Sequence, residues 1–532
     1  MAPRGRGPAR VVGMKFRPRS AALLAGLTLV TTIAGAAPAS AIIGGTESTQ
    51  PYPFMASLQY DSPRPDGHRC GAVLIDPEWV VTAGHCANTP TGATAGVPRG
   101  WQVRVGSPDA ASGGELAEVD RFYRRHNSYN PAGEDIALLH LSEPVQAEPV
   151  RLAGTTPAVG TPVRLLGWGA TSSDCFSDYT DPTCYPSELR EADTEIVPLD
   201  RCFDDDGHTL PLCVGQADPA VGAGNMDSGG PALVREGDGW ALAGTVIGPG
   251  IRGADLPVMY TDVAKNADWI GGIVSGTDVP PLSPIPNVEG VATVGSCHGS
   301  VVRTATARPE DPALALTNGH CLPSGRPAPG TAVVDQPSDL ANPVTINDSA
   351  GYPLTSARAT RLEYATMTGT DIALYRLDKT YGQLAAEGAK VFELSTAPMR
   401  AGDEFLLGIR SSRPECTVGA VVPHLREAGY QQDGAVRYAP GDTCASRPGH
   451  SGAALLSPDG NTVVGINNTS NRAGERCTEG NPCEVDRDGT VTAVRGRSYG
   501  QQVHRITDCL TEGSRVDLSR ADCALTGATT HR

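Results

Sequence analysis

The sequence predicts an all-β protein made of two β domains in tandem, and three observations predict it. Short apolar and β-branched runs alternate with turns rich in Gly, Pro and Asp, the pattern of antiparallel sandwiches or barrels. Gly 63 and Pro 44 are high and aromatics are only 5%, which suits short strands and many turns better than long helices. The same marks also occur twice in the same order along 532 residues, a length that fits two large domains at about 100–200 residues each.

The chain divides into four segments. Residues 1–41 read as a signal peptide. Arg17 and Arg19 close a basic stretch, an apolar run goes from Ala21 to Ile33, and Ala39-Ser40-Ala41 has the small-residue pattern of signal peptidase. Met14 as the start gives a more usual signal length. The apolar run is too short for a membrane anchor, so a secreted protein is expected. Residues 42–275 form the first domain, 276–289 a linker and 290–532 the second domain. The linker has three separate proline sites, at 280–281, 284 and 286, which cannot donate strand hydrogen bonds and stiffen it.

Strands are expected at Ala72–Ile75, Trp79–Val81, Val163–Trp168 and Leu242–Ile247 in the first domain. In the second they are expected at Ser300–Val302, Glu404–Gly408 and Val463–Ile466. A helix is expected near the end of each copy, at Val263–Ile273 and Gln501–Leu510.

The net charge of −16 argues against nucleic acid or an anionic membrane as partner. Fourteen cysteines, an even number, are expected to be oxidised outside the cell. No C-x-x-C pair occurs, so no metal and no cofactor is expected. Asp204-Asp205-Asp206-Gly207 reads as a solvated acidic loop rather than a calcium site, and the sequons at Asn347 and Asn468 carry no functional reading.

The repeated marks carry chemistry. Thr82-Ala83-Gly84-His85-Cys86 matches Thr317-Asn318-Gly319-His320-Cys321, and Asp135-Ile136-Ala137-Leu138 matches Asp371-Ile372-Ala373-Leu374. Asp227-Ser228-Gly229-Gly230-Pro231 is echoed by His450-Ser451-Gly452-Ala453. His and Asp are 50 residues apart in the first copy and 51 in the second, and Asp and Ser are 93 and 80 apart. Serine-dependent acyl transfer needs a hydroxyl, a neutral imidazole to take its proton, a carboxylate behind the imidazole, and N–H groups to meet the developing oxyanion.

In these three motifs, in this order, both halves resemble the chymotrypsin/trypsin-like serine protease family. The first copy is similar to animal-type trypsins and the second to the divergent bacterial branch that includes glutamyl endopeptidases. The resemblance implies two six-stranded antiparallel β-barrels per domain, a C-terminal helix, a site between the barrels, and protein or peptide substrates for a monomeric enzyme. It assigns nucleophile, base and orienting carboxylate to Ser228, His85 and Asp135, and to Ser451, His320 and Asp371. It also implies Cys70–Cys86, Cys297–Cys321, Cys202–Cys213 and Cys175–Cys184, with Cys416–Cys444, Cys477–Cys483 and Cys509–Cys523 as the remaining choice. Ile42-Ile43-Gly44-Gly45 matches the activated family terminus, whose α-amino group pairs with the Asp before the nucleophile, here Asp227. Because the signal-peptidase site falls directly before Ile42, export itself is expected to activate the first domain. The second copy has His450 there instead, expected as a structural replacement.

Departures from the family pattern set further expectations. Oxyanion-hole N–H groups fall to Met226 and Ser228 in the first copy and to Gly449 and Ser451 in the second. The family has Gly where Met226 stands, and losing one donor costs about 10²–10³ in turnover. Met226 thus marks the first domain as a weakened catalyst or a binding-only domain. Ile247 aligns with a Ser beside the catalytic Asp. In the substrate pocket, Gly222 replaces the Asp of trypsins, Gly248 leaves one wall open and Val258 makes it shallow, so small or medium apolar side chains are expected. Ala445 is expected at the base of the second pocket, with Asn467, Asn468 and Thr469 on its wall. The leading reading is proteolysis at both sites. The rivals are one active domain beside a substrate-capturing pseudoprotease, and a non-catalytic binding protein of the same fold, which would normally have lost a triad residue.

Overall fold

The computed structural model describes residues 42–126, 132–175, 178–202, 211–249 and 256–527. The targeting segment and the acidic loop 204–207 lie outside the described residues. Valine-rich runs bounded by Pro and Gly turns form the first strands. Trp79–Thr82, for example, buries all four of its residues between two neighbouring strands. Six strands close into an antiparallel ring in the order Met55–Gln59, His68–Asp76, Trp79–Thr82, Ala137–Leu141, Glu115–Arg124 and Gln102–Val105. A second ring runs Pro162–Gly167, Arg190–Val197, Leu212–Val214, Val258–Asp262, Gly239–Pro249 and Pro231–Glu236. Each ring fills with its own apolar core. The helix Ala267–Val274 follows the last strand.

The second domain repeats the plan. Eight strands pair in the order Pro353–Ala357, Val344–Asn347, Val291–Val294, Cys297–Arg303, Pro312–Thr317, Ile372–Thr380, Ala359–Thr366 and Ala332–Pro337. Side chains from both ends of this order, Ala357 and Val333 among them, pack on one core. A closed ring follows: Glu404–Gly408, Glu415–Glu427, Tyr430–Tyr438, Ser498–Gln502, Thr462–Ser470 and Ala454–Leu456. Phe392–Leu394 joins the two halves by parallel pairing to one strand of each.

One expected helix is corrected. Residues 501 and 502 belong to the strand Ser498–Gln502, helix is confined to His504–Thr507, and Leu510–Thr511 is again a strand. Ser498–Gln502 fills the last place in the ring, and pairing on both edges outweighs local preference.

All fourteen cysteines are bonded, as Cys70–Cys86, Cys175–Cys184, Cys202–Cys213, Cys297–Cys321, Cys416–Cys444, Cys477–Cys483 and Cys509–Cys523. Ser283, in the proline-rich stretch, lies against the first domain, where its N–H donates to the Ala95 carbonyl at 2.9 Å. Arg99 reaches the second domain, pairing with Asp348 at 2.7 Å and lying 4.4 Å over the Tyr352 ring. Among the described residues, no helix is long and apolar enough to cross a membrane.

Candidate active sites

His85 stands on a single 3-10 turn, Gly84–Cys86, directly after the strand Trp79–Thr82. Asp135 is buried beside it. One carboxylate oxygen accepts the His85 backbone N–H at 2.7 Å and the other lies 2.7 Å from His85 Nδ1. The carboxylate accepts, so the neutral ring carries its proton on Nδ1 and its basic lone pair on Nε2. Gly84 permits the approach: a Cβ there would lie 2.9 Å from Asp135 Oδ1. The Asp135 carbonyl accepts from Thr261 Oγ1 at 2.9 Å.

Ser228 is held against this turn through its neighbours. Its carbonyl accepts the Gly71 N–H at 2.8 Å, and the Gly229 N–H donates to the Val246 carbonyl at 2.8 Å. Gly229 has φ +78°, and a Cβ on it would meet Thr82 Oγ1 at 2.2 Å and Ala83 N at 2.9 Å. Only glycine lets the serine loop lie directly on the segment that leads into His85.

Met226 takes φ 74°, the left-handed torsion that glycine supplies in the family. Its carbonyl accepts from His68 Nε2 at 3.0 Å, while His68 Nδ1 accepts from Ser57 Oγ at 2.8 Å. The ring is completely enclosed, and burial, helped by the Arg64 charge, lowers its pKa to about 3. His68 thus stays neutral and tethers the strained residue. Asp227 is also buried; it accepts N–H groups from Gly169 at 2.7 Å and Gly224 at 2.8 Å. Burial outweighs these bonds and pushes its carboxyl up to about 7. Ile42 is buried with φ 62°, and its side chain and the Asp227 carboxylate both pack against Gly167.

The region around Gly222 is narrower than the sequence implied. A Cβ on Gly222 would lie 2.2 Å from Leu256 Cδ2, so the leucine occupies the space where trypsins project a carboxylate. Val258 packs in the same cluster as Leu256, and among the described residues beyond its chain neighbours none lies within 4 Å of where a Cβ on Gly248 would stand. Ile247 packs on the Cys202–Cys213 disulfide and Met259.

The second site is built on the same plan. His320 stands on the turn Gly319–Cys321, its N–H 3.1 Å and its Nδ1 2.7 Å from the two oxygens of buried Asp371. Asn318 Nδ2 donates to the Asp371 carbonyl at 2.9 Å. Burial pulls the His320 pKa down, but the adjacent carboxylate wins and the pKa is raised. Gly449 has φ 91°. A cavity of about 780 Å³ brings His320, Asp371, Gly449 and Ser451 together, with Ser446, Asn468 and Thr469 on its walls. Ser446 lines this cavity rather than Ala445. Asn347 and Asn468, the sequon residues, are both buried. His450 is half-buried, its Nδ1 3.4 Å from the Arg447 N–H.

Sequence reasoning missed His68, and in the second domain His298, which is buried, accepts the Arg410 N–H on Nε2 at 3.1 Å, and stacks edge-on to His450. The signal was present: each lies within two residues of a half-cystine of the histidine loop. The cysteines beside His85 and His320 are disulfide-bonded and offer no thiolate to a metal.

Comparison with known proteins places both halves. The Trypsin family matches residues 42–270, and the trypsin-like peptidase domain family matches 297–466. Chymotrypsin-like elastase family member 3B of Homo sapiens is 32% identical over 278 residues, covering 47% of this chain and 96% of that protein. Transmembrane protease serine 9 of Rattus norvegicus is 29% identical over 308 residues, covering 51% of this chain but only 28% of that protein. Among solved structures, neuropsin, a serine protease expressed in the limbic system of mouse brain, is 26% identical with a TM-score of 0.35, covering 44% of this chain and all of that one. With its duplicated His–Asp pairs and its closed six-stranded rings, the chain belongs to the trypsin-like serine protease family and carries two such domains in tandem.

Proposed function

We propose that the protein is an exported endopeptidase in which both domains cleave peptide bonds through an acyl-enzyme. The observation that carries this reading is the duplicated imidazole–carboxylate geometry, 2.7 Å between Nδ1 and Oδ2 in each copy. In each domain the Ser228 or Ser451 hydroxyl attacks the scissile carbonyl carbon as its proton passes to Nε2 of His85 or His320. The carboxylate behind stabilises the imidazolium, which then protonates the leaving amine. Water repeats the sequence in reverse and frees the acid product. N–H groups of Met226 and Ser228, and of Gly449 and Ser451, meet the oxyanion. Signal cleavage after Ala41 supplies the Ile42 amine to Asp227, and the domains span 42–275 and 290–532 about the 276–289 linker. Leu256 over Gly222 supports small apolar side chains as the first site's preference.

A fluorophosphonate probe tests this on the secreted chain and its Ser228→Ala and Ser451→Ala variants. Each single variant is expected to keep one labelled serine and the double variant none. Absence of labelling on the unaltered chain sinks the reading. A second reading, in which the first domain only captures substrate, is favoured by strained Met226 and by Leu256; it requires labelling at Ser451 alone.

A further inference from the structure

The residue before the candidate nucleophile differs between the copies, and so does what anchors its loop. In the first, the buried Asp227 carboxylate binds N–H groups of Gly169 and Gly224. In the second, the His450 ring accepts the Arg447 N–H of its own loop at 3.4 Å and stands edge-on to the His298 ring. Backbone pairing aligns the neighbouring strands. Gly229 N–H donates to Val246 O and Val246 N–H to Gly230 O; likewise Gly452 N–H donates to Asn467 O and Asn467 N–H to Ala453 O. Asn467 thus holds the register of Val246, where the first domain has an apolar side chain.

Asn467 is fully buried. Its Nδ2 donates to Ser446 Oγ and to the His450 carbonyl, both at 3.0 Å, and its Oδ1 accepts from Tyr438 OH at 3.0 Å. The carbonyl can only accept, which fixes the orientation of the amide. Burial raises the Tyr438 pKa, so its hydroxyl remains a donor.

We infer that Asn467 is a positioning residue for the second site: its amide ties Ser446 and His450, on either side of Gly449, to the adjacent strand. The anchor has moved from the loop to the strand and from a charge to a neutral group. A buried carboxylate is costly without a cation, whereas a fully bonded amide needs none. The second domain, which follows a linker and so gains no free α-amine of its own, is therefore assembled without a cleavage step. This inference rests on reading Ser451 as a nucleophile.

The test uses the full chain carrying Ser228→Ala, so that turnover reports the second site. Asn467→Asp keeps the shape but sets a carboxylate against the His450 carbonyl. The expected result is a kcat lower by roughly 10²-fold, the order of one lost oxyanion donor, with KM within about twofold and an intact circular-dichroism melt. Fluorophosphonate labelling of Ser451 slows in parallel. Tyr438→Phe, which removes one bond, is expected to lower kcat about tenfold and covers the case in which Asn467→Asp does not fold. Unchanged kcat in a folded variant overturns the inference, as does a kcat loss that only tracks a lower melting temperature. A Ser228→Ala parent that neither labels nor hydrolyses overturns the underlying reading instead.

Discussion

At the scale of single residues, Met226 sets two opposing terms. A left-handed torsion costs a non-glycine residue about 1–2 kcal/mol. Glycine loses more chain entropy on folding, about 0.5–1 kcal/mol. Met226→Gly is therefore expected to stabilise the first domain by up to about 1.5 kcal/mol, seen as a later urea midpoint with unchanged slope. Asp227 makes a pH prediction. While Ile42 is still joined to Ala41, the folded carboxyl titrates at about 7 against an ordinary 3.8. A carboxyl with a raised folded pKa contributes stability below the unfolded value and loses it as pH rises through the folded one. The full chain is thus expected to lose melting temperature between about pH 4 and 7, and a chain made to begin at Ile42 to lose much less. His320 gives a third. Under the proposed mechanism, its raised pKa is expected to make second-site turnover fall, as pH drops, at a higher pH than an ordinary imidazole would give. A pH–rate profile of the Ser228→Ala variant measures it.

At the scale of elements, both sites depend on a loop lying flat on a strand end. Gly229 and Gly452 have φ 78° and 79°, and a Cβ on Gly452 would come within 2.1 Å of the His298 carbonyl. Gly452→Ala is expected to abolish labelling at Ser451 while labelling at Ser228 persists, because the two loops belong to separate rings. Equal labelling of both serines in that variant would contradict it. The His85 and His320 turns were legible from sequence because Gly-His-Cys is contiguous, and the strands around them because Val-rich runs are local. The helix expected over 501–510 was not: Ser498–Gln502 becomes a strand through partners at 430–438 and 462–470, which no local window contains.

At the scale of the whole molecule, the domains meet through Arg99, with Asp348 and Tyr352. Arg99 is 59% exposed in that pair, so solvent screens it. Arg99→Ala is expected to cost about 1 kcal/mol or less and to leave labelling rates at both serines unchanged, as read by calorimetry and probe kinetics.

The sequence by itself determined the duplication and the β class, and it named the six residues of the proposed His–Asp–Ser sets. Each of these is written in short contiguous motifs whose order survives without coordinates. Only the tertiary structure decided that Leu256 fills the space at Gly222, that Met226 takes a glycine torsion tethered by His68, and that Asn467 grips the loop before Ser451. Those outcomes depend on side chains far apart in the chain competing for one volume or one hydrogen-bond acceptor, and only packing brings them together.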